Sequence, residues 1–249
     1  MIWEDSKGEQ QIGSISGTAY RLVESQEQIA TLGYVDTLEE QALLEEMLEL
    51  IKPPYTFASE NFHYLLKTPF RYPPLKWGSR FGRIHEPGIF YSGSNTNTTL
   101  AESAYYRFVF WYSMDAEPIK TKIRSEHTLF SVDYTSTKAI RLQSSPFDQY
   151  RKNLTHPQDY TQTQQLGTAM RTAGVEAFEY FSARDPQKGI CIGLFKPQAF
   201  AQKHPKEMTQ WLCEVSASEV AFKQLGKTNV IQFGFENFAV NGVLPTPAN

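Results

Sequence analysis

The chain has 249 residues, 41% apolar and 14% aromatic, enough to bury a substantial core in a single domain. Its formal net charge is −3, but residues 1–60 carry 12 acidic and 3 basic side chains while residues 61–249 carry 15 and 21. That mild balance lacks the dense Lys/Arg stripe of a duplex-binding protein, so no direct nucleic-acid partner is expected, and a small anionic ligand needs only a few placed cations.

Met1-Ile2-Trp3-Glu4-Asp5 is not a basic stretch leading into an apolar one, and no eighteen-residue apolar run follows. Neither a secretion signal nor a membrane span is expected, which implies a cytoplasmic location. No repeat, low-complexity tract or Pro/Gly/Ser-rich linker divides the chain, so residues 1–249 read as one domain.

In chain order, Thr37 with Glu40 forms a capping box. Leu44, Met47, Leu48 and Ile51 then give the apolar face of an acidic helix that Pro53-Pro54 ends. A second helix is predicted from about Thr98 to Trp111, and a third from about Thr161 to Ala173 with Gly174 as its stop. Strands are predicted at Phe81–Ile84, Ile89–Gly93, Thr128–Asp133, Ala139–Gln143, Val175–Phe181, Ile190–Phe195, Trp211–Val215, Glu219–Phe222 and Val230–Phe235. Strands come in runs instead of alternating with helices, so the class is α+β, and no GxGxxG or GxxxxGK[ST] is present. Cys191 and Cys213 sit in apolar strands and read as reduced packing residues. The five scattered histidines form no ligand spacing, so no metal is expected.

The informative stretch is Gly78-Ser79-Arg80-Phe81-Gly82, then Pro87-Gly88-Ile89-Phe90-Tyr91-Ser92, then Ala101-Glu102 ahead of Tyr105-Tyr106. If His85-Glu86-Pro87-Gly88 closes a hairpin, Ile84 faces Ile89, Gly82 faces Tyr91, and Arg80 lies diagonally from Tyr91 on one face. Lys67, Arg71, Lys76, Arg80 and Arg83 stand among Phe70, Tyr72, Trp77 and Phe81, and guanidinium groups suit bidentate phosphate contacts. The helical stripe through Glu102 holds Thr98, Thr99, Tyr105, Tyr106 and Val109 but no Lys or Arg. It admits two readings, a solvated face or a carboxylate reserved for a distant partner or a ligand. Taken singly, Arg80 reads as a surface residue, Tyr91 as a sheet aromatic and Ser182 as a strand-end hydroxyl.

Together these residues resemble the RES-domain family of bacterial toxins. That family carries Gly-Gly-Arg-Trp-Asn, then a tyrosine and a glutamate at successive intervals of about eleven residues. Arg80, Tyr91 and Glu102 keep the spacing, Ser182 in Phe-Ser-Ala takes the place of the family's later Pro-Ser-Ala serine, and Arg21 resembles an early first-strand arginine. Ser79 and Phe81-Gly82 depart from the pattern, as does Phe181 before Ser182. The likeness spans roughly 21–197, with 23–76 an elaborated leading region and 198–249 further strands of the same domain.

The resemblance implies an α+β, ADP-ribosyltransferase-like fold with a mixed or antiparallel sheet core and flanking helices. It implies cleavage of the nicotinamide–ribose bond of NAD⁺ by hydrolysis or phosphorolysis, with NAD⁺ and inorganic phosphate as small-molecule partners and no metal. Glu102 would stabilise the ribose cation, Arg80 and Arg21 would hold the pyrophosphate, and Tyr91 and Ser182 would contact the nicotinamide end. A small helix-turn-helix antitoxin of Xre type is the expected protein partner. Transfer of ADP-ribose to a protein, or a non-catalytic nucleotide-binding module, are the alternatives.

Overall fold

A computed structural model describes residues 1–25, 34–55, 61–116 and 118–247. The runs of β-branched and aromatic residues form eight strands of one sheet: β1 Gly13–Glu24, β2 Phe90–Gly93, β3 Ile123–Arg141, β4 Ala177–Phe181, β5 Ile190–Leu194, β6 Glu207–Val215, β7 Glu219–Gln224 and β8 Val230–Gly234. Of the three longer helices among the described residues, α4 Thr96–Tyr112 and α6 Thr161–Thr172 pack on the sheet, and α2 Leu38–Leu50 is the third. The short helices are α1 Ile2–Asp5, α3 Tyr64–Lys67 and α5 Arg151–Leu154. Among the described residues only β3 and β4 pair in parallel, so the sheet is mixed and the class is α+β.

The 19-residue β3 is the hub. It runs antiparallel to β1 from Gly13↔Ala139 to Glu24↔His127, and to β6 from Ile123↔Val215 to Ser131↔Glu207, and it meets β4 at Ala139↔Ala177. From β4 the pairing passes to β5, then β2, and back to β1 at Tyr20↔Gly93. Five strands therefore close a ring, while β6, β7 and β8 extend the sheet beyond β3. One buried cluster draws on all five ring strands, with Ile15, Ala19, Phe90, Phe130, Val132, Ala177 and Ile192 among its members. A second packs α6 and Phe81 on β4 and β5, and a third packs α4 on β6 and β7.

The helices form where their stop and start signals lie. Asn95 caps α4 by accepting from the Thr98 amide at 2.9 Å. Gly174, at φ +78°, ends α6 in the left-handed conformation that glycine tolerates. Thr37 caps α2 by accepting from the Glu40 amide, and Glu40 reaches back to the Asp36 amide.

Three expectations are corrected. Phe81–Ile84 is not a strand, and the hairpin over His85–Gly88 does not form. Instead Ser79 and Gly82 exchange backbone hydrogen bonds in a tight turn with Arg80 and Phe81 at its tip. Thr128–Asp133 and the first three residues of Ala139–Gln143 are parts of one strand: the exposed polar run at Thr135, Thr137 and Lys138 interrupts the apolar pattern, but the strand passes a register shift at Thr137 and Lys138 and is paired to β1 on both sides of it, at Ser136 and Ala139. Finally, α2 half-buries Leu44 and Leu48 but leaves Met47 and Ile51 exposed, because polar ties such as Arg71 to Glu49 at 2.7 Å hold its C-terminal end.

Candidate active site

The Arg80 turn is built from its glycines and its phenylalanine. Gly78 sits at φ +77°, and a Cβ there would lie 2.4 Å from the Gly82 carbonyl, so the turn requires glycine at that position. Phe81 is fully buried against Phe178 and Tyr180, with ring centroids 4.9 Å away in both cases, which contributes about 2–3 kcal/mol. Gln164 of α6 donates to the Trp77 and Ser79 carbonyls. The Tyr91 hydroxyl completes the turn at 3.0 Å from both Ser79 Oγ and the Phe81 amide. Burial pushes the Tyr91 phenol up to about 12, keeping it protonated. Arg80 and Tyr91 are thus linked through this hydroxyl and not by cross-strand pairing.

Arg80 leaves the turn as a held cation. Nη1 donates to the carbonyls of Leu154 at 3.2 Å and His156 at 2.9 Å, and the guanidinium carbon lies 4.5 Å from the Tyr160 ring centroid. Arg21 arrives from β1, donating Nη1 to the Tyr91 carbonyl at 2.7 Å and lying 5.1 Å over Phe90. Its Nε is sealed without a partner, and burial pulls its pKa down to about 10. A desolvated guanidinium with no carboxylate partner among the described residues favours an incoming anion.

Glu102 sits in the second turn of α4. Its Oε1 accepts from Ser182 Oγ at 2.5 Å and from Cys191 Sγ at 3.7 Å. Ser182 in turn accepts from the amides of Arg184 at 3.1 Å and Asp185 at 2.8 Å, so its single proton is directed at Glu102. Burial and then the field of Glu102 hold the Cys191 thiol well above its ordinary pKa, which keeps it a donor. Both donors are neutral, Oε2 takes no protein hydrogen bond, and Glu102 has no ion-pair partner among the described residues. Arg107, five residues on, is spent on Glu24 at 2.7 Å.

Arg21, Arg80, Tyr91 and Glu102 line one cleft of about 410 Å³, within the usual size range of small-molecule sites. Its charged lining is three guanidiniums, Arg21, Arg80 and Arg184, and the single carboxylate Glu102. Ser182 stands behind the lining and reaches the cleft only through Glu102. Of the predicted basic cluster, only Arg80 enters the cleft, since Arg71 is turned to Glu49 and the Pro53 carbonyl and Lys67 lies over Tyr55. Arg184, Tyr160 and Cys191 were not foreseen. Tyr180 and Cys191 are a register pair between β4 and β5, and only that pairing brings position 191 beside Glu102. Among the described residues no three His, Cys, Asp or Glu side chains are grouped to hold a metal ion, and no helix is long and apolar enough to cross a membrane.

The family model described as RES domain matches residues 53–216. One chain of the crystal structure of the M. tuberculosis MbcT–MbcA toxin–antitoxin complex is similar at a TM-score of 0.50 and 10% identity, covering 84% of this chain and 91% of that one. At that identity the likeness is one of fold. No curated protein matches the chain significantly.

Proposed function

The chain belongs to the RES domain family, and from that premise and the chemistry of the cleft we propose that it cleaves the nicotinamide–ribose bond of NAD⁺. The observation that carries the reading is Glu102, a carboxylate oriented by two neutral donors and without an ion-pair partner among the described residues, in a cleft otherwise charged by three arginines.

As the bond between ribose C1′ and the nicotinamide nitrogen breaks, its electron pair leaves with nicotinamide, which departs neutral and needs no acid. Positive charge builds on the ribose, and Glu102 Oε2 is the group that stabilises it. Water or inorganic phosphate supplies the oxygen that bonds to C1′, and with water a proton passes through Glu102 to solvent. The products are nicotinamide with ADP-ribose, or with its 1″-phosphate. Arg21 and Arg80 hold the pyrophosphate, and the Tyr91 ring lines the nicotinamide end. Its hydroxyl keeps the Arg80 turn in place, and Ser182 holds Glu102 in place instead of contacting substrate. The likeness to a toxin of a toxin–antitoxin complex supports a toxin neutralised by an antitoxin; that it depletes NAD⁺, and that the antitoxin is of Xre type and covers the cleft, follow from the RES-family reading.

The test is product identification from labelled NAD⁺ with and without inorganic phosphate. Free ADP-ribose or its 1″-phosphate is expected, and dependence on phosphate chooses between them. Glu102→Gln is expected to abolish NAD⁺ loss with an unchanged circular dichroism spectrum. Undiminished turnover in that variant, or label retained on a protein band, would refute the reading.

A further inference from the structure

Arg184 is 5% exposed, lines the cleft, and has no carboxylate partner among the described residues. Its guanidinium carbon lies 3.5 Å from the Tyr105 ring centroid, and Nη2 donates to the Pro157 carbonyl at 2.6 Å and the Tyr160 hydroxyl at 3.4 Å. The same short segment holds Arg80, which bonds the carbonyls of Leu154 and His156 and lies over the Tyr160 ring. Tyr160 therefore touches both cations, one at its face and one at its hydroxyl. Its own placement is firm: it is 7% exposed, stands at the start of α6, and gives its carbonyl to the Gln164 amide at 2.8 Å and Thr163 Oγ1 at 3.0 Å.

Two guanidiniums gathered by one ring and three backbone carbonyls repel each other and have given up much of their hydration, and partial carbonyl charges offset that only in part. Glu102 in the same cleft supplies one negative charge that acts on Arg80, which leaves the three guanidiniums of the cleft in excess for an anion to complete, and the geometry of arginine forks suits phosphoryl oxygens. We propose that Arg184 is a ligand-binding residue, and that Tyr160 is the positioning residue that joins it to Arg80 as a clamp for a phosphoryl anion. The clamp deepens the NAD⁺ reading and takes from it only the identity of the ligand. The anion is either a diphosphate within a nucleotide or free phosphate.

Calorimetry with ADP-ribose and, separately, with inorganic phosphate distinguishes these. With wild-type protein as reference, Arg184→Gln is expected to weaken ADP-ribose binding about tenfold or more, and Arg184→Lys to restore part of it by returning charge without the fork. Tyr160→Phe keeps the ring under Arg80 but loses the Arg184 contact, and an about threefold loss is expected. A loss confined to inorganic phosphate would support the clamp and assign it to free phosphate. Wild-type affinity for both anions in Arg184→Gln, at an unchanged melting temperature, would overturn it. Should that variant fail to fold, wild-type affinities in both Arg184→Lys and Tyr160→Phe would do the same. Arg184-dependent ADP-ribose binding by a wild-type protein that consumes no NAD⁺ would sink the functional reading and leave the clamp standing.

Discussion

Ser182→Ala tests whether the serine acts on the reaction through Glu102. The substitution removes the 2.5 Å bond to Oε1 and leaves only the longer Cys191 contact to orient the carboxylate. A hydrogen bond to a charged group contributes about 1.5–3 kcal/mol, so if that bond fixes Oε2 against the ribose, kcat should fall about ten- to hundredfold. The amides of Arg184 and Asp185 lose their acceptor as well, so the melting temperature should drop by several degrees. KM for NAD⁺ should move less than about twofold, because a positioning residue makes no contact of its own with substrate. Steady-state kinetics with a nicotinamide readout and a thermal melt measure all three. Full kcat in a variant that melts as wild type would refute the argument, and a rise in KM matching the loss in kcat would show that Ser182 touches substrate directly.

Further outcomes follow from the supports of the site. Tyr91→Phe removes two hydrogen bonds from the Arg80 turn and should cost about 1–2 kcal/mol in urea unfolding while raising KM; an unchanged KM would show that the turn holds without the hydroxyl. Gly167→Ala would place a Cβ 1.9 Å from the Phe81 carbonyl, so α6 must shift away from the turn. A loss of about 2–4 kcal/mol is expected, and a wild-type urea midpoint would contradict it. Burial, helped by Arg107 and opposed by Glu24, pulls the His127 pKa down to about 4. Its folded value lies below the unfolded value of about 6.5, so the unfolded chain binds the extra proton. The stabilisation is complete above about pH 6.5 and is lost as pH falls toward 4, by about 3 kcal/mol in all. His127→Gln should flatten that part of the profile, and an identical acid profile would exclude His127 as its source.

How much of this could be read in the sequence depended on whether the signal was local. The α4 helix carries its cap at Asn95 and α6 its stop at Gly174, and the eleven-residue steps from Arg80 to Tyr91 to Glu102 fall on a tight turn, a strand and a helix that line one cleft. The route that joins them was not legible. A Pro-Gly pair suggested a hairpin, yet Phe81 gains more by burying its ring among Phe178 and Tyr180 than a short strand would by pairing. Ser182, Cys191 and Arg184 lie 80 or more residues from Glu102, and their common destination depends on β4 and β5 lying beside the α4 helix. No periodicity encodes that meeting. The acidic helix shows the opposite failure: its apolar spacing is regular, but tertiary packing covers only part of it.

The third buried cluster bears on how far the working unit extends. Residue 216 closes the stretch shared with the family, yet Val220, Phe222 and Phe238 pack beneath α4, Pro245 takes the Tyr105 hydroxyl at 2.7 Å, and Ala217 takes that of Tyr112 at 2.8 Å. A polypeptide trimmed to the family footprint would lose Arg21 with the whole of β1, and would strip the scaffold from under the helix that aims Glu102. The smallest unit that keeps the cleft intact therefore includes β1 and the last two strands, β7 and β8, and the family boundary is a poor place to cut.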